Sequence, residues 1–378
     1  MRKIQISSLL FLAVLLSISV TAQKKSSKNV VKASSSILLL KNENARLAID
    51  LQGGAIVDFH LKASKINPFT WKVTTAQMPE NNKCGAVFQG HFICLGRWGA
   101  PTEGEMKAGV PHNGQAGRDL WKLESAQKAG FAKMTANAPL DGISVERNIQ
   151  MDDKSAVYKV SEKVKNVTTI GRLFNIVQHA TIGAPFLDST TLIDSNAKQG
   201  FLQTMCYPNP AAHEFIFPNA YADSTRAPLN LRTSNNKDSY VSTHIFADSI
   251  GWIVAATPSN GLLVGYVWKT ADYPWLNLWQ QCVDGKLWAK GLEFGTSGVG
   301  KSYQELLAVD TRFYGQSSFF FLDATETVAK SYIGFEIEIP ANFTGVENLK
   351  FSNNCIELDA KTSNGERNTF KISTNLNL

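Results

Sequence analysis

The chain has few cysteines, no basic cluster and no long apolar run beyond its N-terminus, and each of these absences excludes a class of protein. Its five cysteines are odd in number, too few for a disulfide scaffold, and lack a CxxC spacing. Cys84 and Cys94 are close enough in sequence for a local bridge, although buried free thiols fit equally well. No later apolar run reaches the ~20 residues of a membrane helix, so we expect no membrane insertion.

The first residues have the pattern of an export signal. Arg2 and Lys3 precede an apolar run from Leu9 to Val20 that is too short to span a bilayer, and Val20-Thr21-Ala22 suits a signal peptidase. We therefore predict that residues 1–22 are a signal peptide and that the mature protein is periplasmic or secreted. Residues 23–36, rich in lysine and serine, are expected to form a flexible leader.

The remaining charge is small and evenly spread. The formal charge of +6 includes Arg2 and Lys3, so cleavage of the signal leaves +4. Without a basic patch there is no electrostatic footprint for a polyanion, and we expect no nucleic-acid partner.

Apolar and polar residues alternate with a period of two along most of the chain, and turn residues separate the alternating segments. The segments with this pattern include Ala45–Ile49, Ala55–Leu61, Ser144–Gln150, Ala156–Val164, Ile250–Ala256, Leu262–Lys269 and Trp275–Cys282. No long stretch has helical periodicity, so the pattern predicts an all-β fold. We expect residues 37–378 to form one domain, with the strands around Ile333–Ile339 and Ile356–Leu358 in the same sandwich.

Residues 291–302, GLEFGTSGVGKS, support two incompatible functions. From Gly295 they match GxxxxGK[ST], in which Lys301 would contact a terminal phosphate and Ser302 a Mg²⁺ ion. A phosphate loop requires a βαβ setting, which the surrounding strands do not provide, and an exported protein meets little ATP. Around Glu293 the same residues form a strand end with a carboxylate beside small residues, which suits a sugar site. We therefore expect neither a nucleotide nor another cofactor.

Ionisable residues are dense in the glycine-rich segment 89–121, which contains His91, Arg97 and His112. This composition is typical of a binding site built on loops, although a long solvated connection has it too. His179 is isolated in an otherwise apolar strand segment, where a structural role is the commoner one. These histidines and Glu293 have no HxH or HxxxH spacing, so we expect no metal site.

Strand alternation describes the surroundings of Glu293, because residues two apart share a face. Glu293 is expected to share its face with Gly291, Ala289 and Leu287, which leaves room for a ligand. Trp288 is expected to point the other way.

The preceding strand is expected to carry a stripe of indoles and amides on one face. The stripe consists of Trp275, Asn277, Trp279 and Gln281, and it alternates with Leu276 and Leu278 on the other face. Sugars stack their C–H faces on aromatic rings and bind amides through their hydroxyls, although an ordinary aromatic sheet face has the same pattern.

Five segments, in order from about Asn44 to the region near Glu338, resemble the motifs of one known family. The segments are NARLAIDLQGGAIVDFHL, PHNGQAGRDLW, ERNIQMDDKSAVYKVSEKVKNVT, QHATIGAPFLD and GLEFGTSG. The first segment resembles the family's first hairpin with a glycine pair, and the second resembles a His-Gly motif followed by tryptophan. The third resembles paired strands that end at an asparagine. The fourth resembles the segment with a second histidine, and the fifth resembles the strand with a glutamate. The family is the galactose mutarotase-like superfamily, whose aldose 1-epimerase type has a β-supersandwich fold.

The resemblance implies a mutarotase that acts on a free sugar, with a mono- or oligosaccharide as partner. Glu293 would take the proton of the anomeric hydroxyl, and His179 would protonate the ring oxygen. By the resemblance His112 would bind the sugar near the ring oxygen, and Arg97 would hold hydroxyls or a carboxylate.

His91, Trp279 and Asn277 complete the predicted substrate-binding set. The alternative is a carbohydrate-binding protein without catalysis on the same scaffold. A lyase with a supersandwich domain is a weaker third option, because lyases of that kind usually add a helical toroid that this chain lacks the length to hold.

Overall fold

The computed structural model describes residues 36–128, 130–221, 228–234 and 238–378, and residues 36–378 form one compact unit. The predicted signal peptide and nearly all of the predicted leader lie outside the described residues. Within those ranges the chain contains 25 strands and two short α-helices. None of the described helices combines the length and the apolarity needed to cross a membrane.

The elements have these bounds in chain order. The first strands are β1 (Ile37–Lys41), β2 (Ala45–Asp50), β3 (Ala55–Leu61), β4 (His91–Leu95), β5 (Lys122–Lys128), β6 (Phe131–Ala138), β7 (Ile143–Met151), β8 (Val157–Asn166), β9 (Arg172–Phe174), β10 (Ile176–Ile182), β11 (Leu192–Ser195) and β12 (Gln199–Leu202). They are followed by β13 (Phe215–Ile216), β14 (Asn219–Tyr221), β15 (Pro228–Asn230), β16 (Tyr240–Ile245), β17 (Ile250–Thr257), β18 (Leu262–Lys269), β19 (Trp275–Val283), β20 (Lys286–Gly295), β21 (Phe320–Leu322), β22 (Thr327–Glu338), β23 (Phe343–Ser352), β24 (Cys355–Thr362) and β25 (Arg367–Ser373). The α-helices are α1 (Glu103–Lys107) and α2 (Tyr303–Ala308); 3₁₀ turns lie at Thr75–Gln77, Glu80–Asn82, Gln203–Met205 and Pro210–His213.

Two large antiparallel sheets form the sandwich. One has ten strands in the order β1-β2-β3-β4-β10-β20-β19-β16-β12-β13, and the other has eight in the order β11-β17-β18-β22-β8-β7-β6-β5. Alternate residues of both sheets, such as Phe59, Leu276 and Phe294 from the first and Tyr158 and Tyr266 from the second, form the main core between them. The all-β prediction is therefore confirmed, and each strand segment predicted from alternation is a strand within one or two residues at either end.

The C-terminal residues form a third layer. Strands β23, β24 and β25 make a separate three-stranded sheet. Its apolar face, with Ile356 and Leu358, packs on Trp252, Val254 and other residues of the eight-stranded sheet that point away from the main core. The expectation that Ile356–Leu358 joins the sandwich sheets is wrong, whereas Ile333–Ile339 does belong to the eight-stranded sheet as β22. The eight-stranded sheet is apolar on both faces, so its outer face requires this cover.

The hairpin of β19 and β20 contains a β-bulge. Register shifts by one residue after Gln281, which pairs with Ala289, so that Cys282 pairs with Leu287 and Trp288 is the extra residue. Leu287 consequently packs against the main core, and the ring of Trp288 lies on the opposite face against Trp71. The alternation expected for Leu287 and Trp288 is therefore wrong, because the bulge reverses the side-chain direction between Trp288 and the turn.

Candidate functional site

A pocket of about 370 Å³ lies on the face of the ten-stranded sheet that points away from the main core. Its lining residues are Trp98, Gly99, Ala100, His112, Asn113, His179, Gln203, Val241, Trp279, Glu293 and Gly300. The pocket thus brings together the predicted base, the predicted acid and two of the five predicted substrate-binding residues.

A row of directly paired residues crosses the sheet beneath this pocket. Phe92 of β4 pairs with His179 of β10, His179 pairs with Glu293 of β20, and Glu293 pairs with Asn277 of β19. The row continues to Thr243 of β16. Since directly opposed residues in antiparallel strands project to the same side, the backbone alone sets His179 and Glu293 next to each other.

The imidazole of His179 is held at both ring nitrogens. Its Nε2 lies 3.0 Å from Oε1 of Glu293, and its Nδ1 lies 2.9 Å from the hydroxyl oxygen of Thr181. The ring stacks on Phe92 at 4.1 Å between centroids, with an interplanar angle of 23°. Because each nitrogen faces an oxygen that can accept, the site can hold the doubly protonated imidazolium.

Glu293 is buried, and only one of its oxygens is engaged. No group among the described residues donates a hydrogen bond to Oε2. The neighbouring residue on this face is Gly291, where a Cβ would lie 2.7 Å from Oε1 of Glu293 and 3.1 Å from the Cβ of Trp279. The small residue predicted beside the carboxylate is therefore required by the position of the carboxylate itself.

His112 reaches the pocket on a loop that Asn82 fixes. The side chain of Asn82 accepts from the backbone N–H of His112 and donates to its carbonyl oxygen, both at 3.0 Å. Burial, together with the charges of His179 and Arg97, lowers the pKa of His112 to about 4. At neutral pH the His112 ring is uncharged and acts as a hydrogen-bonding group.

Two further amide side chains shape the rim. Oδ1 of Asn113 accepts from the backbone N–H of Gly99 at 2.7 Å, which ties the Trp98 loop to the His112 loop. Asn113 adopts a φ of 62°, a conformation that asparagine tolerates better than most residues. Gln203 accepts from the N–H of Gly300 at 3.0 Å and donates to Thr243 and to the carbonyl of Gly298.

Arg97 does not line the pocket, which corrects its predicted role in binding. Its guanidinium donates two hydrogen bonds to Glu105, at 2.8 and 3.0 Å, and lies 3.3 Å from Asp141. The side chains of Arg97 and Asp141 are buried, so the guanidinium compensates a carboxylate within the fold. Glu105 is its second partner.

His91 is also placed away from the pocket. It pairs with Ala180 rather than with His179, so its ring points into the main core, where Nδ1 lies 3.1 Å from the hydroxyl of Tyr266. Burial holds the pKa of His91 well below its usual value. Its predicted role in binding is wrong, because a shift of one residue along a strand changes the face.

The two predicted residues of β19 differ in their contacts. Trp279 lines the pocket, and its ring lies 5.7 Å from that of His179. Asn277 is fully buried beneath the site, where Oδ1 accepts from Thr243 at 2.8 Å and Nδ2 donates to the carbonyl of Ser297 at 3.1 Å. Asn277 therefore supports the floor of the pocket and does not line it.

The segment that matches a phosphate loop has other partners. It follows β20, whose neighbours β10 and β19 are both antiparallel, and leads into the six-residue helix α2. The hydroxyl of Ser302 caps that helix by accepting from Glu305, and the ammonium of Lys301 lies 3.4 Å from Glu305. Strand, loop and helix do follow one another, but the antiparallel neighbours of β20 are not the βαβ setting of a phosphate site. The expected absence of nucleotide binding stays a prediction.

A second hollow in the surface bears on the choice of site. A larger hollow of about 600 Å³ lies beside Asp152 and the C-terminal residues, but Asp152 already accepts hydrogen bonds from Thr374 and from the backbone of Ser155 and Asn375.

Cys84 and Cys94 are both unbonded thiols, one exposed and one buried, so a bridge between them is excluded. The described residues contain no group of three or more His, Cys, Asp or Glu side chains placed to hold a metal ion.

Several pocket residues were not predicted. Trp98 lies in the glycine-rich segment singled out in the sequence, and its aromatic character was the available signal. Gly300 belongs to segment 291–302, which was also singled out. Gln203 and Val241 carry no signal in the sequence, because their positions follow from the pairing of β12, β16 and β19.

Comparison with known proteins identifies the fold. No family model and no curated protein sequence matches the chain. Among solved structures, it is similar to a galactose mutarotase related enzyme from Lactobacillus acidophilus, with a TM-score of 0.57 and 11% identity over 80% of this chain and 98% of that one. It is also similar to a galactose mutarotase-like protein from Lactobacillus casei, with a TM-score of 0.55 and 12% identity over 80% of this chain and 100% of that one. For a galactose mutarotase-like protein from Clostridium acetobutylicum, the TM-score is 0.52 and the identity 10%, over 80% of this chain and 95% of that one. The chain therefore has the galactose mutarotase-like fold, as its ordered motifs predicted.

Proposed function

We propose that this chain, on its galactose mutarotase-like scaffold, interconverts the α and β anomers of a free aldose, with Glu293 as the base and His179 as the acid. The observation that carries the proposal is the buried pair itself. His179 Nε2 lies 3.0 Å from Glu293 Oε1, while Glu293 Oε2 has no donor among the described residues. Glu293 lines the pocket, and a carboxylate oxygen without a partner is suited to accept a proton from a ligand hydroxyl.

The reaction requires two proton transfers at atoms that are close together on the sugar. Oε2 of Glu293 takes the proton of the anomeric hydroxyl. The imidazolium of His179 turns its Nε2–H from Oε1 of Glu293 to the ring oxygen and gives that proton as the bond between the ring oxygen and the anomeric carbon breaks. Rotation about the adjacent carbon–carbon bond and the reverse transfers then form the other anomer. Both groups return to their starting protonation states, so no co-reactant is consumed.

The remaining pocket residues would bind and orient the sugar. The indoles of Trp98 and Trp279 offer aromatic surface for the C–H face of a pyranose. His112, uncharged at neutral pH, would exchange hydrogen bonds with a hydroxyl or with the ring oxygen. Thr181 would keep the His179 ring in the orientation that faces Glu293.

Polarimetry tests this proposal directly. Freshly dissolved α-anomers of glucose, galactose and other common aldoses should reach equilibrium rotation faster with the wild-type protein. The acceleration should disappear in Glu293→Gln, which keeps the shape of the side chain but not its basicity. If wild-type protein accelerates no aldose, the proposed reaction is wrong.

The second candidate is a carbohydrate-binding protein without turnover. It is favoured by the two indoles of the pocket, which serve binding whether or not chemistry follows. Calorimetric sugar binding that depends on Trp279, without any acceleration of mutarotation, would establish this function instead.

We also propose that the protein works outside the cytoplasm, as the N-terminal pattern of residues 1–22 indicates. N-terminal sequencing of protein recovered from cell fractions should give a chain beginning at Gln23 in the periplasm or medium. A chain retained in the cytoplasm with residue 1 intact would contradict it.

A further inference from the structure

A row of three tryptophans extends from the pocket toward the turn of the β19–β20 hairpin. The ring of Trp279, which lines the pocket, lies 5.3 Å from that of Trp71, and Trp71 lies 5.4 Å from Trp288. The three belong to one apolar cluster on the pocket face of the ten-stranded sheet. Trp71, Trp279 and Trp288 are called the aromatic row below.

The outer members of the aromatic row remain accessible. Trp71 is buried, whereas Trp279 and Trp288 are partly exposed. A partly exposed indole offers aromatic surface to a ligand on this face of the sheet. At Trp288 the exposure results from the β-bulge, which turns this side chain to the pocket face while Leu287 enters the core.

Polar groups accompany the row. Gln281 shares the face of Trp279, two residues further along β19, and pairs with the small residue Ala289. The indole N–H of Trp71 is buried and has no acceptor among the described residues. Partly exposed indoles with an amide at their side have the chemistry of a sugar-binding surface, because sugars combine an apolar ring face with hydroxyls at the edge.

We infer that the aromatic row is a second sugar subsite, and that the ligand of this protein is a reducing disaccharide or longer oligosaccharide whose terminal ring occupies the pocket. This inference rests on the proposed function, which requires a free anomeric carbon beside Glu293 and His179. The ring in the pocket is therefore the reducing end. The next ring, attached through one of its hydroxyls, lies over the aromatic row between Trp279 and Trp288.

Calorimetry with matched sugars tests the inference. Lactose, maltose and cellobiose are compared with galactose and glucose on the wild-type protein, on Trp288→Ala and on Phe321→Ala. Phe321 is a matched control because it is an aromatic residue, 58% exposed, on the small β9–β21 sheet outside the pocket and the row. Trp288→Phe, which keeps an aromatic ring, guards against a folding defect in the alanine variant.

At least one disaccharide should bind about tenfold more tightly than the monosaccharides, the scale of one aromatic contact. Trp288→Ala should remove most of that difference and leave monosaccharide affinity within about twofold. Trp288→Phe should keep part of it, and Phe321→Ala should change nothing.

The outcomes separate this inference from the proposed reaction. Equal affinities for mono- and disaccharides, or a Trp288→Ala variant that weakens both alike, would overturn the subsite even if monosaccharides are mutarotated. Disaccharide binding that depends on Trp288, without mutarotation of any sugar, would support the subsite and reject the reaction.

Discussion

His179 and Glu293 face each other from directly paired positions of neighbouring antiparallel strands, with Nε2 of the histidine 3.0 Å from Oε1 of the glutamate. Their proximity therefore does not depend on a loop. Any change that keeps the register of β10 and β20 keeps the pair, and this makes side-chain substitutions at the site interpretable.

Glu293→Gln should reduce mutarotation by at least ~10²-fold, the usual contribution of a general base. Sugar binding should survive, because the amide still fills the space and still accepts a hydrogen bond. Polarimetry measures the rate and calorimetry the affinity. Glu103→Gln is the matched control, since Glu103 is 78% exposed in its side chain and pairs with Lys107 at the surface; equal losses in both variants would remove Glu293 from the mechanism.

Thr181→Val should lower kcat by about tenfold with little change in KM. The substitution keeps the size of the side chain but removes the oxygen 2.9 Å from Nδ1 of His179, so the imidazolium loses an acceptor. Thr181→Ser should restore most of the rate because the hydroxyl returns. A rate that is the same in the valine and serine variants would show that the hydroxyl has no influence on His179.

Arg97→Ala should destabilise the protein by about 3 kcal/mol or more, because it leaves the buried carboxylate of Asp141 without its cation. Urea denaturation measures this loss. Arg312→Ala is the control: Arg312 pairs with Asp310 at the surface, and its removal should leave the stability nearly unchanged. If Arg97→Ala instead abolished sugar binding at unchanged stability, Arg97 would be a ligand contact after all.

The free energy of unfolding should fall as pH is lowered from about 6.5 to about 4. Burial lowers the pKa of His112 and of His244 to about 4, and it holds the pKa of His91 well below its usual value. In this window the unfolded chain binds protons at these residues and the folded chain does not, so acid favours unfolding. Each histidine contributes up to about 1.4 kcal/mol per pH unit.

His244→Gln should make that pH dependence shallower by about one proton. His244 is fully buried and bonds to Ser242, outside the pocket, so the variant leaves the site residues in place. Urea titrations at several pH values give the slopes. The control is His213→Gln, which removes an exposed histidine and should leave the slope unchanged; a slope that stayed the same in His244→Gln would contradict the assignment.

Lys301→Ala should change stability by about 0.5 kcal/mol or less and should not create or remove any nucleotide affinity. Lys301 lies at the surface beside Glu305 and over the ring of Tyr207. Thermal melting and titration with ATP and Mg²⁺ check the two expectations. Micromolar ATP binding by the wild type that is lost in this variant would restore the phosphate-loop interpretation.

Alternation and turn residues predicted the strands well because each pattern is local. The same parity correctly separated Trp279 and Asn277 from Leu276 and Leu278. It failed at Leu287 and Trp288, where one extra residue in the strand has no local mark in the sequence.

The candidate site was predictable where motif order carried information. His112, His179 and Glu293 were named from ordered segments, and all three line the pocket. Arg97 and His91 were named for residue type within a dense segment, and both proved to be engaged elsewhere, because a buried partner such as Asp141 or Tyr266 lies far away in sequence. Whether a polar residue meets a ligand or a distant partner is decided by tertiary packing.

The bulge at Trp288 has a consequence for the carboxylate five residues further on. Counted from the two-residue turn at Asp284–Gly285, where Val283 pairs with Lys286, an uninterrupted hairpin would set Leu292 opposite Asn277. Glu293 would then oppose Leu276 and point toward the main core. The bulge shifts the register of β20 against β19 by one residue, so the side chain of Glu293 projects to the pocket face. Deletion of Trp288 would remove the bulge and keep Glu293 opposite Asn277, whereas regular pairing with Trp288 retained would exchange the positions of Leu292 and Glu293.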